Sequence, residues 1–281
     1  MNRWEEWDCE YASSSSSGTT EGGAGAAFPC LQELIINDCP RLRNKLPQRL
    51  PSVLKLVIKH CKQLVCSLEC ASAIREIDLY HCGKLKLEFP FSNNTCYLQT
   101  IRVFWSPNVE FEIRHPFNAL QRLNLRDSYY SLKALPLDLF PKLQELDLEG
   151  CRNLERLDVG SGSGGVTSLT QFSIFGCPKL ASFPEGLRTL FPSLTGLWLY
   201  DCPEVQCKEE DGGGFPTSLK ILEIANCPKL LASRIKWDLH TCTSLTFLII
   251  QDEDGNYADY QGLLPPNLKS LNDRKVGPSS S

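Results

Sequence analysis

Apolar residues recur along most of the chain in one repeated phrase. With Leu31 of Phe28–Leu42 (FPCLQELIINDCPRL) set as position 0, apolar residues fall at positions 0, 3 and 5 (Leu31, Leu34, Ile36). A cysteine follows at 8 (Cys39), a proline at 9 and a leucine at 11 (Leu42). The phrase returns in Val53/Leu56/Ile58/Cys61, Ile74/Ile77/Leu79/Cys82, Leu98/Ile101/Val103/Ser106, Leu120/Leu123/Leu125/Ser128 and Leu143/Leu146/Leu148/Cys151. It continues in Leu169/Phe172/Ile174/Cys177, Leu194/Leu197/Leu199/Cys202, Leu219/Leu222/Ile224/Cys227 and Leu245/Leu248/Ile250/Glu253. That makes ten copies, seven of them with cysteine at position 8, and Leu268 and Leu271 open a truncated eleventh.

Apolar positions 3 and 5 separated by polar neighbours predict a short strand with two apolar side chains on one face. A single such strand cannot bury them. Stacked copies can, each leaning on the next, so stability becomes a sum of nearest-neighbour interfaces. Successive position-8 residues are 21 to 26 apart, the period of a leucine-rich-repeat solenoid. The predicted fold is therefore an α/β-class horseshoe. Its concave face carries a parallel β-sheet, and its convex face carries mostly loops and short 3-10 turns with little helix. Spacers such as LKALPLDLF (132–140) and ASFPEGLRTLF (181–191) leave room for one helical turn. Where the chain turns inward at position 8, backbone donors need an interior partner, a task suited to a small cysteine or to the hydroxyls of Ser106 and Ser128.

The ends read differently. Residues 1–27 suggest a truncated opening repeat, with Trp4 and Trp7 in NRWEEW, followed by a Ser/Gly-rich mobile insertion. No LxxLxL strand precedes NRWEEW, so the chain is expected to start partway through a repeat, as a fragment or a truncated gene product. The solenoid should span 28–272, and 273–281 should be a disordered tail. SGSGG (161–165) and KEEDGGG (208–214) read as flexible loops.

Composition narrows the function. With 29 Lys plus Arg against 33 Asp plus Glu, no basic excess points to nucleic acid. There is no membrane-length apolar run and no apolar h-region of a secretory signal. The fourteen cysteines read as reduced thiols of a cytoplasmic protein, because ladder side chains run parallel rather than toward each other. The Asn93-Asn94-Thr95 sequon is then a chance match. His60, Cys61, Cys66 and Cys70 lack the paired CxxC spacing of a zinc site. His81 and Cys82 face different environments, so no nucleophile and base converge. Neither an enzyme nor a cofactor nor a metal is expected.

Positions 2, 4 and 6 point away from the leucines and line the concave face. They bring together Tyr80, Arg102, Phe104, Trp105 and Arg126 in the middle of the array, and Phe175, Trp198 and Tyr200 further along, as candidate partner-binding residues. Phe175, Trp198 and Tyr200 are expected to form one continuous platform. The alternative for the aromatics is cross-strand stacking that stabilises the sheet. Between the clusters Glu145, Asp147 and Glu149 face Arg122 and Arg126, which reads either as a binding stripe or as an internal ladder of ion pairs.

LQELIINDCPRL, LTQFSIFGCPKL, LTGLWLYDCPEV and LKILEIANCPKL, with the FPxL lead-in and NRWEEW, resemble the C-terminal leucine-rich-repeat region of plant intracellular nucleotide-binding disease-resistance receptors of the coiled-coil class. The resemblance implies a cytoplasmic sensor that binds a pathogen effector or an effector-modified host protein and regulates an upstream nucleotide-binding domain. No GxxxxGK[ST] loop or coiled-coil heptads occur here, so nucleotide binding by this chain is not expected. The alternative is the substrate-recognition module of an F-box ubiquitin-ligase adaptor. Such repeats are more regular and carry a convex helix.

Overall fold

The computed structural model describes residue 5 and residues 28–272, apart from 44–45, 47–49, 65–70, 84, 88–95, 161–167, 182–185, 207–213, 234–236 and 252–263. The opening segment other than Glu5, both glycine-rich loops other than Gly214, Cys66, Cys70 and the C-terminal tail thus lie outside the described residues. The Glu5 carbonyl accepts from the Arg43 N–H at 3.0 Å, and its carboxylate lies 3.5 Å from Arg41.

Each copy contributes one strand from position 2 to position 6, beginning with Glu33–Asn37, Lys55–Lys59, Glu76–Tyr80, Thr100–Phe104 and Arg122–Arg126. Glu145–Glu149, Gln171–Phe175, Gly196–Tyr200, Ile221–Ala225, Phe247–Gln251 and a short Ser270–Asn272 complete the series. These eleven strands form one parallel sheet in chain order. Register is copy to copy without slippage: Leu34 pairs with Leu56, Leu56 with Ile77, and so on to Leu248 with Leu271. A slip of one residue would carry every leucine to the solvent face. The chain is a leucine-rich-repeat solenoid.

Positions 0, 3, 5, 8 and 11 feed one continuous core, in which Leu56, Ile77, Leu123, Leu148, Leu199 and Leu222 are fully buried. The FPxL phenylalanines add rings on the return side, where Phe117 stacks on Phe140 at 5.4 Å and Phe172 meets Phe191 edge-on at 5.9 Å. Helix is confined, among the described residues, to Leu187–Leu190 and Pro228–Ala232, with 3-10 turns at Leu137–Leu139 and Leu239–Thr241. The repeat pattern did not suggest the return-side strand pairs Lys86–Leu87 with Glu110–Phe111 and Ala134–Pro136 with Arg156–Asp158. Between Glu110–Phe111 of the fourth copy and Ala134–Pro136 of the fifth, which do not pair, Tyr129-Tyr130 stands where other copies have proline, and a cavity of about 380 Å³ lined by Phe111, Tyr129 and Lys133 opens there.

Two features fix how each strand ends. Every described copy has position 7 in the left-handed region: Asp38, His60, His81, Trp105, Asp127, Gly150, Gly176, Asp201 and Asn226 have φ between 45° and 63°. This bend aims the position-7 N–H at the position-6 carbonyl of the next copy, as in His60 to Tyr80 (2.9 Å), Trp105 to Arg126 (2.8 Å) and Gly176 to Tyr200 (2.9 Å). The position-8 side chain then donates to the position-6 carbonyl of its own copy. Cys61 Sγ reaches Lys59 O at 3.2 Å, Cys202 Sγ reaches Tyr200 O at 3.2 Å and Ser106 Oγ reaches Phe104 O at 2.9 Å. The thiols also meet the N–H groups of the turn, since the backbone of Cys39 bonds to the Cys61 thiol and that of Cys61 to the Cys82 thiol. The hydroxyls do the same, since Ser106 Oγ accepts from the Cys82 N–H at 2.9 Å and Ser128 Oγ from the Ser106 N–H at 3.0 Å.

Candidate functional site

Strand alternation turns positions 2, 4 and 6 away from the core, and exact register sets each row one strand spacing from the next. The position-6 row is a line of lateral contacts. Lys59 Nζ lies 4.9 Å from the Tyr80 ring, Tyr80 packs on Phe104 at 5.1 Å, and Arg126 sits 5.6 Å over Phe104. Arg126 Nε then meets Glu149 at 2.6 Å. Further along, Phe175 and Tyr200 stack at 4.7 Å with only 5° between planes, and the Tyr200 hydroxyl donates to the Glu223 carboxylate. Burial, followed by that bond to Glu223, pushes the Tyr200 hydroxyl well above its ordinary range.

Position 4 is more committed to internal pairs. Arg102 holds Asp78 at 2.9 Å, and Asp78 is buried. Asn124 donates to Glu145 at 3.0 Å, and Asp147 lies 4.0 Å from Arg126. Burial raises the Asp147 carboxyl, against the lowering effect of Arg126. With Arg122 3.5 Å from Glu145, the acidic stripe forms the internal ladder of ion pairs. Arg102, Arg126 and Glu149 reach a partner already engaged, and so frame the aromatics rather than standing free as anchors.

Two residues sit elsewhere than the sequence suggested. Trp198 does not extend the Phe175–Tyr200 stack. Its indole folds toward the start of its own strand, over Gly196, where an added Cβ would come within 2.2 Å of the ring. Glycine at position 2 occurs only in this copy and was the signal for that fold. Trp105 belongs to position 7, outside the strand. It is 44% exposed, lies 5.9 Å from Phe104 and stacks on His81 at 5.0 Å, and His81 stacks on His60 at 4.9 Å. Sequence reasoning did not group these histidines with the site, because position 7 was not recognised as a row.

Among the described residues no group of three or more His, Cys, Asp or Glu could hold a metal ion, and no helix is long and apolar enough to cross a membrane. The ladder cysteines are buried free thiols. Burial pushes Cys61 up to about 11 and Cys82 up to about 12, and the hydrogen bond with the Cys177 thiol, with burial, pushes Cys202 up to about 12.

The fold is that of a leucine-rich-repeat solenoid with an open, aromatic-bearing concave sheet. No family model matches the chain. It is similar to two Arabidopsis thaliana proteins. One is "Putative disease resistance protein At3g14460", 44% identical over 61 residues, which make up 22% of this chain and 4% of that protein. The other is "Putative disease resistance RPP13-like protein 1", 26% identical over 171 residues, 58% of this chain and 12% of that protein. The similarity to plant disease-resistance proteins read from the motifs is thus met by relatives of that kind, of whose length this chain spans a small part. A solved structure, a plant peptide hormone receptor RGFR1 in complex with RGF2, aligns over 88% of this chain and 63% of that one, at 12% identity and a TM-score of 0.30.

Proposed function

We propose that this chain is the ligand-sensing surface of a plant innate immune receptor. In this reading the solenoid recognises a protein, either a pathogen effector or a host protein that an effector has modified, and transmits that contact to an upstream nucleotide-binding domain in a longer parent. It acts in the cytoplasm, by binding rather than by catalysis. The observation that carries the reading is the position-6 row with its neighbours: half-buried aromatic rings of Tyr80, Phe104, Phe175, Trp198 and Tyr200 on an open sheet face, framed by charges already paired. Tyr and Trp rings are enriched among the anchors of protein interfaces, where contacts of little energetic weight surround them and exclude water. Similarity to disease-resistance proteins supplies the biological setting. The ubiquitin-ligase alternative expects a convex helix in every repeat, and the described residues contain two helices of four and five residues.

The test is a two-hybrid screen of pathogen effectors and their host targets, followed by affinity measurement. Replacing Tyr200 or Phe104 with Ala should cost the captured partner about 2 kcal/mol of binding free energy, roughly thirtyfold. Far-ultraviolet dichroism should stay unchanged. A partner that tolerates the joint loss of Phe104, Phe175, Trp198 and Tyr200 would rule the concave face out.

A further inference from the structure

Position 7 imposes a left-handed backbone, and six of the nine described copies meet it with Asp, Gly or Asn, which adopt that conformation at little cost. Three consecutive copies do not: His60 (φ 55°), His81 (φ 49°) and Trp105 (φ 49°). Histidine tolerates that backbone better than most residues, but the bulky Trp105 is strained there, and strain of this kind persists where the surroundings over-determine it and clusters at functional sites. All three side chains are exposed, so they add nothing to the core. They stack instead on one another, at 4.9 Å and 13° for the histidine pair and at 5.0 Å and 11° for His81 with Trp105. Tight packing of adjacent turns sets that spacing: Gly83 approaches the Lys62 carbonyl so closely that an added Cβ would lie 1.8 Å from its oxygen.

Rings stacked face to face cover one another's π surfaces and turn their edges outward. Those edges carry the positive end of the aromatic quadrupole, the imidazole N–H groups and the indole N–H. Lys59, adjacent to His60, and exposed Lys62 border the row. Carboxylates bound the row at both ends, exposed Asp38 beside His60 and Asp127, which leans away from Trp105 over Gly150, so the donor stretch is the three rings between them.

We infer that the exit edge of the sheet along His60, His81 and Trp105 is a docking strip for an acidic, carboxylate-rich peptide segment of a protein partner. Donors repeating every strand spacing meet successive carboxylates, and Trp105 links the strip through Phe104 to the concave aromatics. The inference rests on the protein-recognition reading and adds the chemistry of the partner.

The full chain is titrated with a short fluorescein-labelled poly-glutamate peptide, with poly-glutamine of equal length as control. Poly-glutamate should bind and poly-glutamine should not. Trp105→Gly and His81→Asn, both tolerant of the left-handed backbone, should each weaken binding about tenfold. The melting temperature of each should hold, and relief of strain should raise it for Trp105→Gly. Lys142→Gln, an exposed cation elsewhere in the array, should leave binding unchanged. Equal binding of the two peptides, unaltered affinity in both variants, loss equal to theirs in Lys142→Gln, or a lowered melting temperature showing the stack to be structural would each overturn the strip. Trp198→Ala should retain poly-glutamate binding, so loss of partner recognition in that variant alone would fall on the concave-face reading and not on the strip.

Discussion

Ser106 shows how one hydroxyl joins three turns of the array. It accepts from the Cys82 backbone, donates to the Phe104 carbonyl, and its own N–H donates to Ser128 Oγ. Ser106, Ser128 and Cys82 are buried, so the Cys82 N–H in particular stays unsatisfied when the hydroxyl is lost. Ser106→Ala should therefore cost about 1–3 kcal/mol, the penalty for a buried donor or acceptor left unpaired. Ser106→Cys should cost less, since thiols fill the same position in seven copies and still reach the position-6 carbonyl. Urea unfolding of the two variants checks the order, and equal losses would mean that a thiol cannot stand in for the hydroxyl at this position.

At the scale of one strand, Gly196–Tyr200 separates stability from surface. Leu199 is fully buried and Trp198 is partly exposed over Gly196. Leu199→Ala should open a cavity and cost roughly 2–5 kcal/mol, whereas Trp198→Ala should lower stability far less. Gly196→Ala is the informative variant. Its Cβ displaces the indole, so the near-ultraviolet dichroism of Trp198 should change while the far-ultraviolet spectrum does not. An unchanged aromatic signal would show that the ring does not rest on Gly196. The strand at the array's start behaves differently, because Glu33–Asn37 has a sheet neighbour on one side only, among the described residues, and leaves Ile35 58% exposed.

The whole molecule titrates through its thiol ladder. Cysteines in an unfolded chain ionise near about pH 8.5, while folded Cys61 holds its proton to about 11, and Cys82 and Cys202 to about 12. Between those limits the unfolded state has lost protons that the folded state keeps. The contribution of these thiols is thus complete below the unfolded value and declines as pH rises toward 11 to 12. The urea midpoint should fall steadily from pH 8 to pH 10, and a Cys82→Ser variant should flatten the slope. A midpoint indifferent to pH over that interval would mean the ladder thiols ionise as freely in the folded chain as in the unfolded one.

Strand positions, register and core were legible in the sequence, for a physical reason. In a solenoid each copy buries its leucines only against its immediate neighbours, so a pattern of positions 0, 3, 5, 8 and 11 carries the packing almost without long-range information. Leu56, Ile77 and Leu199 are buried where that pattern puts them, and the two aromatic clusters lie on the strand face it turns outward. What only the tertiary structure decided was the direction of side chains that answer to two or three copies at once. The Trp198 indole turns to fill the space that Gly196 leaves, and Arg126 reaches Glu149 one strand away. The left-handed bend at position 7, a backbone property that Asp, Gly and Asn merely permit, lifts Trp105 off the sheet into a stack with His81 and His60. Periodicity specifies which residues face the core. Among those that face water, contacts between copies settle which rings come together.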